Sequence, residues 1–158
     1  MSTELIDRYL AGAAAPARAV EGLTAAHLNA PSPRGAPGSW TLQENIVHLM
    51  DSDLIGSDRM KRVAAMSNPL IIGYDEGAFI RALSPASLDP RACTEVFRLN
   101  RVLTAEVLRR LPAEAWDRTG VHNEAGKKSL RDLVKGYCDH LDHHLAIMAA
   151  KRRLITGG

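Results

Sequence analysis

Three of the chain's six histidines fall within five positions, as His140, His143 and His144 in "YCDHLDHHLAIMAAKRR". Two imidazoles four residues apart on a helix lie one turn apart on nearly the same face. Their ring nitrogens can converge on a divalent metal about 2 Å from each. Burial strengthens this reading: a buried imidazole needs partners for its nitrogens, and two side by side repel when both are protonated. A shared metal relieves both costs. The competing reading is a set of ordinary polar side chains, bonded to their neighbours or turned to water.

The helix wheel decides which histidines face inward. At 100° per residue, Leu130, Leu133, Val134, Leu141, Leu145 and Met148 all fall within about 80° of Tyr137, which marks the core side. His144 lies about 20° and His140 about 60° from Tyr137, whereas His143 lies about 120° away, at the boundary. Two ligands hold a metal poorly, so another helix must contribute. His27 in "LTAAHLNA" sits at a helix end and His122 in "RTGVHNEAG" in a turn before the last helix; both read as solvent-facing. In "WTLQENIVHLMDSD", Leu42, Ile46, Val47, Leu49, Met50 and Leu54 define a broad apolar arc. His48 falls nearly opposite the centre of that arc and Asp53 in its middle. By spacing alone Asp53 is therefore a rival ligand, or a partner that orients a histidine. For His48 to reach the metal, its helix needs a second buried face, for example against another subunit.

Four long segments carry helical periodicity, and no stretch shows strand alternation. The first runs from about Thr3 to Leu23, with Pro16 expected to bend it or end it early. The loop "NAPSPRGAPGS" follows. The second begins at a capping box, Thr41 with Glu44, and continues to about Met66 before Asn68-Pro69. A short helix is expected around Glu76 to Leu83. The third starts with Asp89 as cap and Pro90 in the first turn and ends near Leu111. The fourth starts at Ser129, with Asp132 three positions on, and reaches about Leu154. The expected fold is all-α, a four-helix bundle with short extra helical turns in its connections, forming one domain over residues 1–158.

Composition narrows the function classes. With 46% hydrophobic and 24% charged residues the chain has the balance of a water-soluble domain, and no stretch approaches the roughly 20 apolar residues a membrane span needs. The N-terminus lacks a basic region followed by an apolar one, so a cytoplasmic location is expected. The net charge of +2 comes from scattered basic residues, which argues against nucleic acid as a partner. Cys93 and Cys138 are too far apart for a zinc knuckle or a redox pair and read as buried thiols. No Ser-His-Asp pattern, phosphate-binding glycine loop or dinucleotide fingerprint is present.

The pairing of "WTLQENIVHLMDSD" with "EAGKKSLRDLVKGYCDHLDHHLAIMAAKR" resembles the DinB/YfiT-like superfamily of metal-binding four-helix bundles. The first stretch matches its Trp, then a histidine followed by Leu and an acid five positions on. The second matches its Gly, a helix-starting Ser or Thr, and H-x-x-H-H near the C-terminus. The resemblance implies a three-histidine site at His48, His140 and His144, holding zinc or nickel with water in the open positions. It also implies a hydrolase or a transferase that uses a low-molecular-weight thiol, acting on a small molecule, and a homodimer. A general base would serve hydrolysis more than thiol transfer, and Asp53, His143 and Glu124 are the candidates. The rival class is a non-catalytic bundle whose metal serves stability or ligand sensing. A DNA-damage-response module is suggested only by the family's name, and the dispersed charge opposes it.

Overall fold

Side-chain caps set the starts of the three longest helices. Thr41 Oγ1 accepts from the Glu44 amide at 3.1 Å while the Glu44 carboxylate accepts from the Thr41 amide at 2.7 Å, opening α4 (Leu42–Ala65). Ser129 and Asp132 make the same reciprocal pair at 3.0 and 2.9 Å ahead of α7 (Leu130–Thr156), which ends at Gly157 in the left-handed region (φ 78°). Asp89 caps α6 (Pro90–Arg109) by accepting from the Arg91 amide, and Pro90 occupies the first turn, where no amide proton is needed. The computed structural model describes residues 2–157.

The first expected helix is divided. α1 spans Ser2–Ala11 and α2 Ala15–Ala19, with Pro16 in the first turn of α2 instead of inside a continuous rod, and α3 (Ala25–Asn29) follows beyond the expected end at Leu23. The short helix α5 spans Glu76–Ala82. α1, α4, α6 and α7 form the four-helix bundle, with α1 and α4 each packed on both α6 and α7. α7 runs antiparallel to α4. Met60, Val63 and Ala64 share one apolar cluster with Leu130, Leu133 and Val134, while Leu42, Ile46 and Leu49 share the other with Leu141 and Met148. Gly56 lets the two helices close up, because a Cβ there would lie 2.4 Å from the Tyr137 ring.

A small sheet departs from the expectation of no strands. β1 (Leu70–Ile71) pairs parallel with β2 (Thr119–His122), which pairs antiparallel with β3 (Gly126–Ser129). Strands of two to four residues are too short to show a period of two, which is why periodicity missed them. Gly120 permits the β1–β2 approach, since a Cβ there would meet the Pro69 carbonyl oxygen at 2.8 Å. The hairpin leads directly into the Ser129 cap and so sets where α7 begins.

The second buried face of α4 needs no other subunit. α6 and α7 cover it on two sides, and α3, α5 and the turn Pro85–Ser87 close over its first half. Its buried positions include Gln43, Asn45, His48, Ser52 and Asp53 beside the apolar residues, so a wheel that assumes one apolar arc misjudges it. Gln43 shows how such polar groups are satisfied, donating to the Pro85 and Leu88 carbonyls at 3.2 and 2.9 Å. Among the described residues, no helix is long and apolar enough to cross a membrane.

Candidate metal centre

Antiparallel packing of α4 on α7 brings the first half of α4 beside the middle of α7, and there His48 meets His140 and His144. One ring nitrogen from each lies within 4.8 Å of the others. His48 Nε2 and His140 Nε2 are 3.0 Å apart, and the His144 ring centroid is 4.6 Å from both other rings. His48 is 2% and His144 7% exposed, and His140 is half-buried.

Surrounding groups orient these rings. Asn45 Nδ2 donates to the Thr41 carbonyl at 2.7 Å, which turns Oδ1 towards His144 Nδ1 at 3.0 Å. His144 therefore donates from Nδ1 and keeps its Nε2 lone pair free. The Trp40 ring packs 4.9 Å from His48 and stacks parallel to His144 at 6.3 Å. Trp40 is in turn held by the buried Lys151 ammonium, which donates to the Gly38 and Trp40 carbonyls.

All three imidazoles are held neutral. Burial first, then the neighbouring imidazoles, push His48 down to about 3 and His144 to about 4. Burial and the Arg101 guanidinium are the leading causes that lower His140 to about 4. Three neutral nitrogens converging at one point fit a divalent cation. Two nitrogens each about 2.1 Å from one ion are about 3.0 to 3.4 Å apart at bond angles of 90° to 109°, which brackets the His48–His140 separation.

The other candidates lie elsewhere. Asp53 is buried away from the histidines and bonded to Arg101, Asn100 and Tyr9. His143 is exposed on the flank of His144, with ring centroids 5.3 Å apart. Glu124 is exposed and its carboxylate lies against Gly73. His27 is half-buried and caps α3, and His122 ends β2 instead of lying in a turn. Sequence reasoning passed over Glu76, whose carboxylate oxygen lies 3.9 Å from His48 Nε2. No pattern marks it, because α5 is joined to the site only through the fold. Asn45 was also missed, although a polar residue beside Ile46 and one turn before His48 was a usable signal.

A model of the DinB superfamily matches residues 11–148. A protein of Oceanobacillus iheyensis named "putative metal-dependent hydrolase" is 30% identical over 109 residues, 69% of this chain and 63% of the relative. A protein of the same name from Halalkalibacterium halodurans is 26% identical over 108 residues, 68% of this chain and 63% of the relative. The chain thus spans less than two thirds of the length of these relatives. The solved structure of YfiT from Bacillus subtilis, described as "a probable metal-dependent hydrolase with an unusual four-helix bundle topology", superposes with a TM-score of 0.88. It is 24% identical, with 99% of this chain and 87% of that one covered. A mycothiol-dependent maleylpyruvate isomerase superposes with a TM-score of 0.72 at 14% identity, covering 95% of this chain and 61% of that one. At these identities the two structures speak for the fold.

Proposed function

The chain belongs to the DinB superfamily, and from that premise we propose that it is a metal-dependent enzyme acting on a small molecule, with His48, His140 and His144 holding one divalent ion. The observation that carries this reading is the convergence of three neutral imidazoles from two helices, two of them almost wholly buried. The names of the relatives point the same way. Imidazole donors suit zinc and nickel. An ion on three neutral ligands keeps its charge and an open position, and supplies the Lewis acidity that makes a water or a low-molecular-weight thiol nucleophilic near neutral pH.

The protein's own groups do the rest. Glu76 stands beside His48 and takes the proton of the incoming nucleophile, and burial raises its pKa towards the range useful for that task. Asn45 holds His144 in the tautomer that offers Nε2. Trp40 covers one side of the cluster against water. That proton step serves hydrolysis more than thiol transfer, and the relatives' names favour hydrolysis.

A second copy of the chain is proposed to pack on α6, where Val96, Leu99, Leu103 and Val107 lie exposed at helical spacing along one face. Elemental analysis of untagged protein should find one divalent ion per chain, with His144→Ala losing it. Turnover of an ester, amide or thiol–electrophile pair should depend on that ion. Full metal occupancy in His144→Ala would overturn the ligand set. A large metal-dependent rise in melting temperature without turnover of any such substrate would instead support a structural or sensing role.

A further inference from the structure

A cavity of ≈ 260 Å³ lies between α4, α5, α7 and the β2–β3 hairpin, and His140 lines it. At about 30 Å³ per water it has room for about nine waters, or an organic molecule of about ten non-hydrogen atoms. Its walls have hydrogen-bond donors to spare. Arg59 donates from Nη1 to the Tyr137 hydroxyl at 3.0 Å and from Nη2 to the Ile72 carbonyl at 2.6 Å, both neutral partners, and its Nε is buried without one. Tyr137 accepts that bond and so keeps its own proton to give. The Tyr74 hydroxyl is buried with only the Ser52 side chain beside it and makes no well-formed hydrogen bond. Burial pushes it up to about 12, which keeps it a donor.

The hairpin adds two more donors. His122 Nδ1 accepts from the Glu124 and Ala125 amides at 3.2 Å each, so the ring proton resides on Nε2. Lys128 adds a second fixed positive charge. Two carboxylates also line the cavity: Asp132 is taken up by the cap of α7, while Glu76, without a hydrogen bond of its own, feels the Arg59 charge from the His48 end and offsets part of it. Asp132 accepts from the Ser129 amide and hydroxyl at 2.9 and 2.7 Å. A buried donor without an acceptor is destabilising, and an anionic acceptor answers several donors at once.

We propose that this cavity seats a small organic carboxylate, held by Arg59, Lys128, His122 and the Tyr74 and Tyr137 hydroxyls, with the rest of the molecule extending to the three histidines. As an assignment of the substrate class it rests on the metal-centre reading. A flat carboxylate leaves most of ≈ 260 Å³ for the carbon frame that must react beside His140.

The test compares benzoate with benzamide, which match in size and differ in charge, by calorimetry at pH 7.5 on nickel-loaded and on chelator-treated full-length protein. Benzoate should bind at least tenfold tighter than benzamide in both states. In Arg59→Gln that preference should fall below threefold, while the metal content stays at the wild-type value. Because Arg59 also anchors the Ile72 carbonyl, Lys128→Gln on the hairpin is the second variant, with a three- to tenfold weakening of benzoate expected. Equal binding of the two probes, unchanged benzoate affinity in both variants, or inorganic phosphate binding as tightly as benzoate would overturn the carboxylate seat. Loss of the metal reading is seen separately: a protein that takes up no nickel yet prefers benzoate after chelation retains the seat and refutes the centre.

Discussion

His48 and Asp53 lie five residues apart on α4, both 2% exposed, and the fold treats them in opposite ways. Asp53 is fully answered. Its carboxylate accepts from Arg101 Nε at 2.9 Å, Asn100 Nδ2 at 2.9 Å and the Tyr9 hydroxyl at 3.2 Å. Arg101 spends its other nitrogens on the Tyr9 and Tyr137 carbonyls, and its guanidinium lies over the Tyr9 and Phe97 rings. That cluster ties α1, α4, α6 and α7 together and has nothing left over for a ligand. The histidine cluster holds no fixed charge of its own, and apart from the His144 Nδ1 bond to Asn45 its nitrogens face one another instead of a permanent partner. Burial of polar groups therefore does not by itself mark a site. What separates the two is whether the donors and acceptors close on themselves.

Breaking the closed cluster should have the largest effect. Asp53→Ala leaves a buried guanidinium uncompensated and should cost about 3–5 kcal/mol in metal-free urea unfolding, whereas metal-free His48→Ala should cost about 1–2 kcal/mol. Equal losses in the two variants would erase the distinction between a structural and a ligand-binding cluster. On the open side, Glu76→Gln should lower kcat by about 100-fold or more with the metal retained. A variant as active as the wild type would remove Glu76 from the proton transfer.

Asn45→Ala probes the one fixed anchor of the open cluster. It should weaken metal affinity by about 10- to 100-fold in a chelator competition, since His144 is then free to rotate or change tautomer. An unchanged affinity would mean that packing against Trp40 alone holds the ring. Per group, the smallest expected effect is on pH. The three imidazoles are lowered to between about 3 and 4 in the fold and return to about 6.5 when it unfolds, so the unfolded chain binds more protons in between. Stability of the metal-free protein is then complete above pH 6.5 and declines as the pH falls towards 4. Between pH 7 and 6 the loss is on the order of 0.5 kcal/mol per imidazole. A denaturation midpoint that does not move over that interval would contradict neutral burial of the cluster.

The starts of α4, α6 and α7 were legible because a cap is a local event. Thr41 with Glu44, Asp89 with Pro90, and Ser129 with Asp132 each satisfy amides within three residues of themselves. The inward turn of His140 and His144 was legible for a similar reason, since α7 presents one dominant apolar stripe. His48 was not. α4 is covered on several sides by helices distant in sequence, so an apolar arc drawn on it does not predict which polar residues are buried. The three short strands and the placement of Glu76 likewise depend on contacts between segments and leave no period in the chain, whereas the early end of the first helix was legible in Pro16.

Local spacing determined the helix caps, the histidine pair one turn apart on α7 and, through two short motifs, the family. The resemblance implied His48, but spacing left it open against Asp53; the tertiary structure shows that His48 meets that pair, and it alone decided that Arg101 closes on Asp53 and that Glu76 and the Arg59 cavity lie beside the histidines. The physical reason is range. Hydrogen bonds within a turn are written in neighbouring residues, whereas the partner of a buried polar group comes from wherever the packing of helices delivers one.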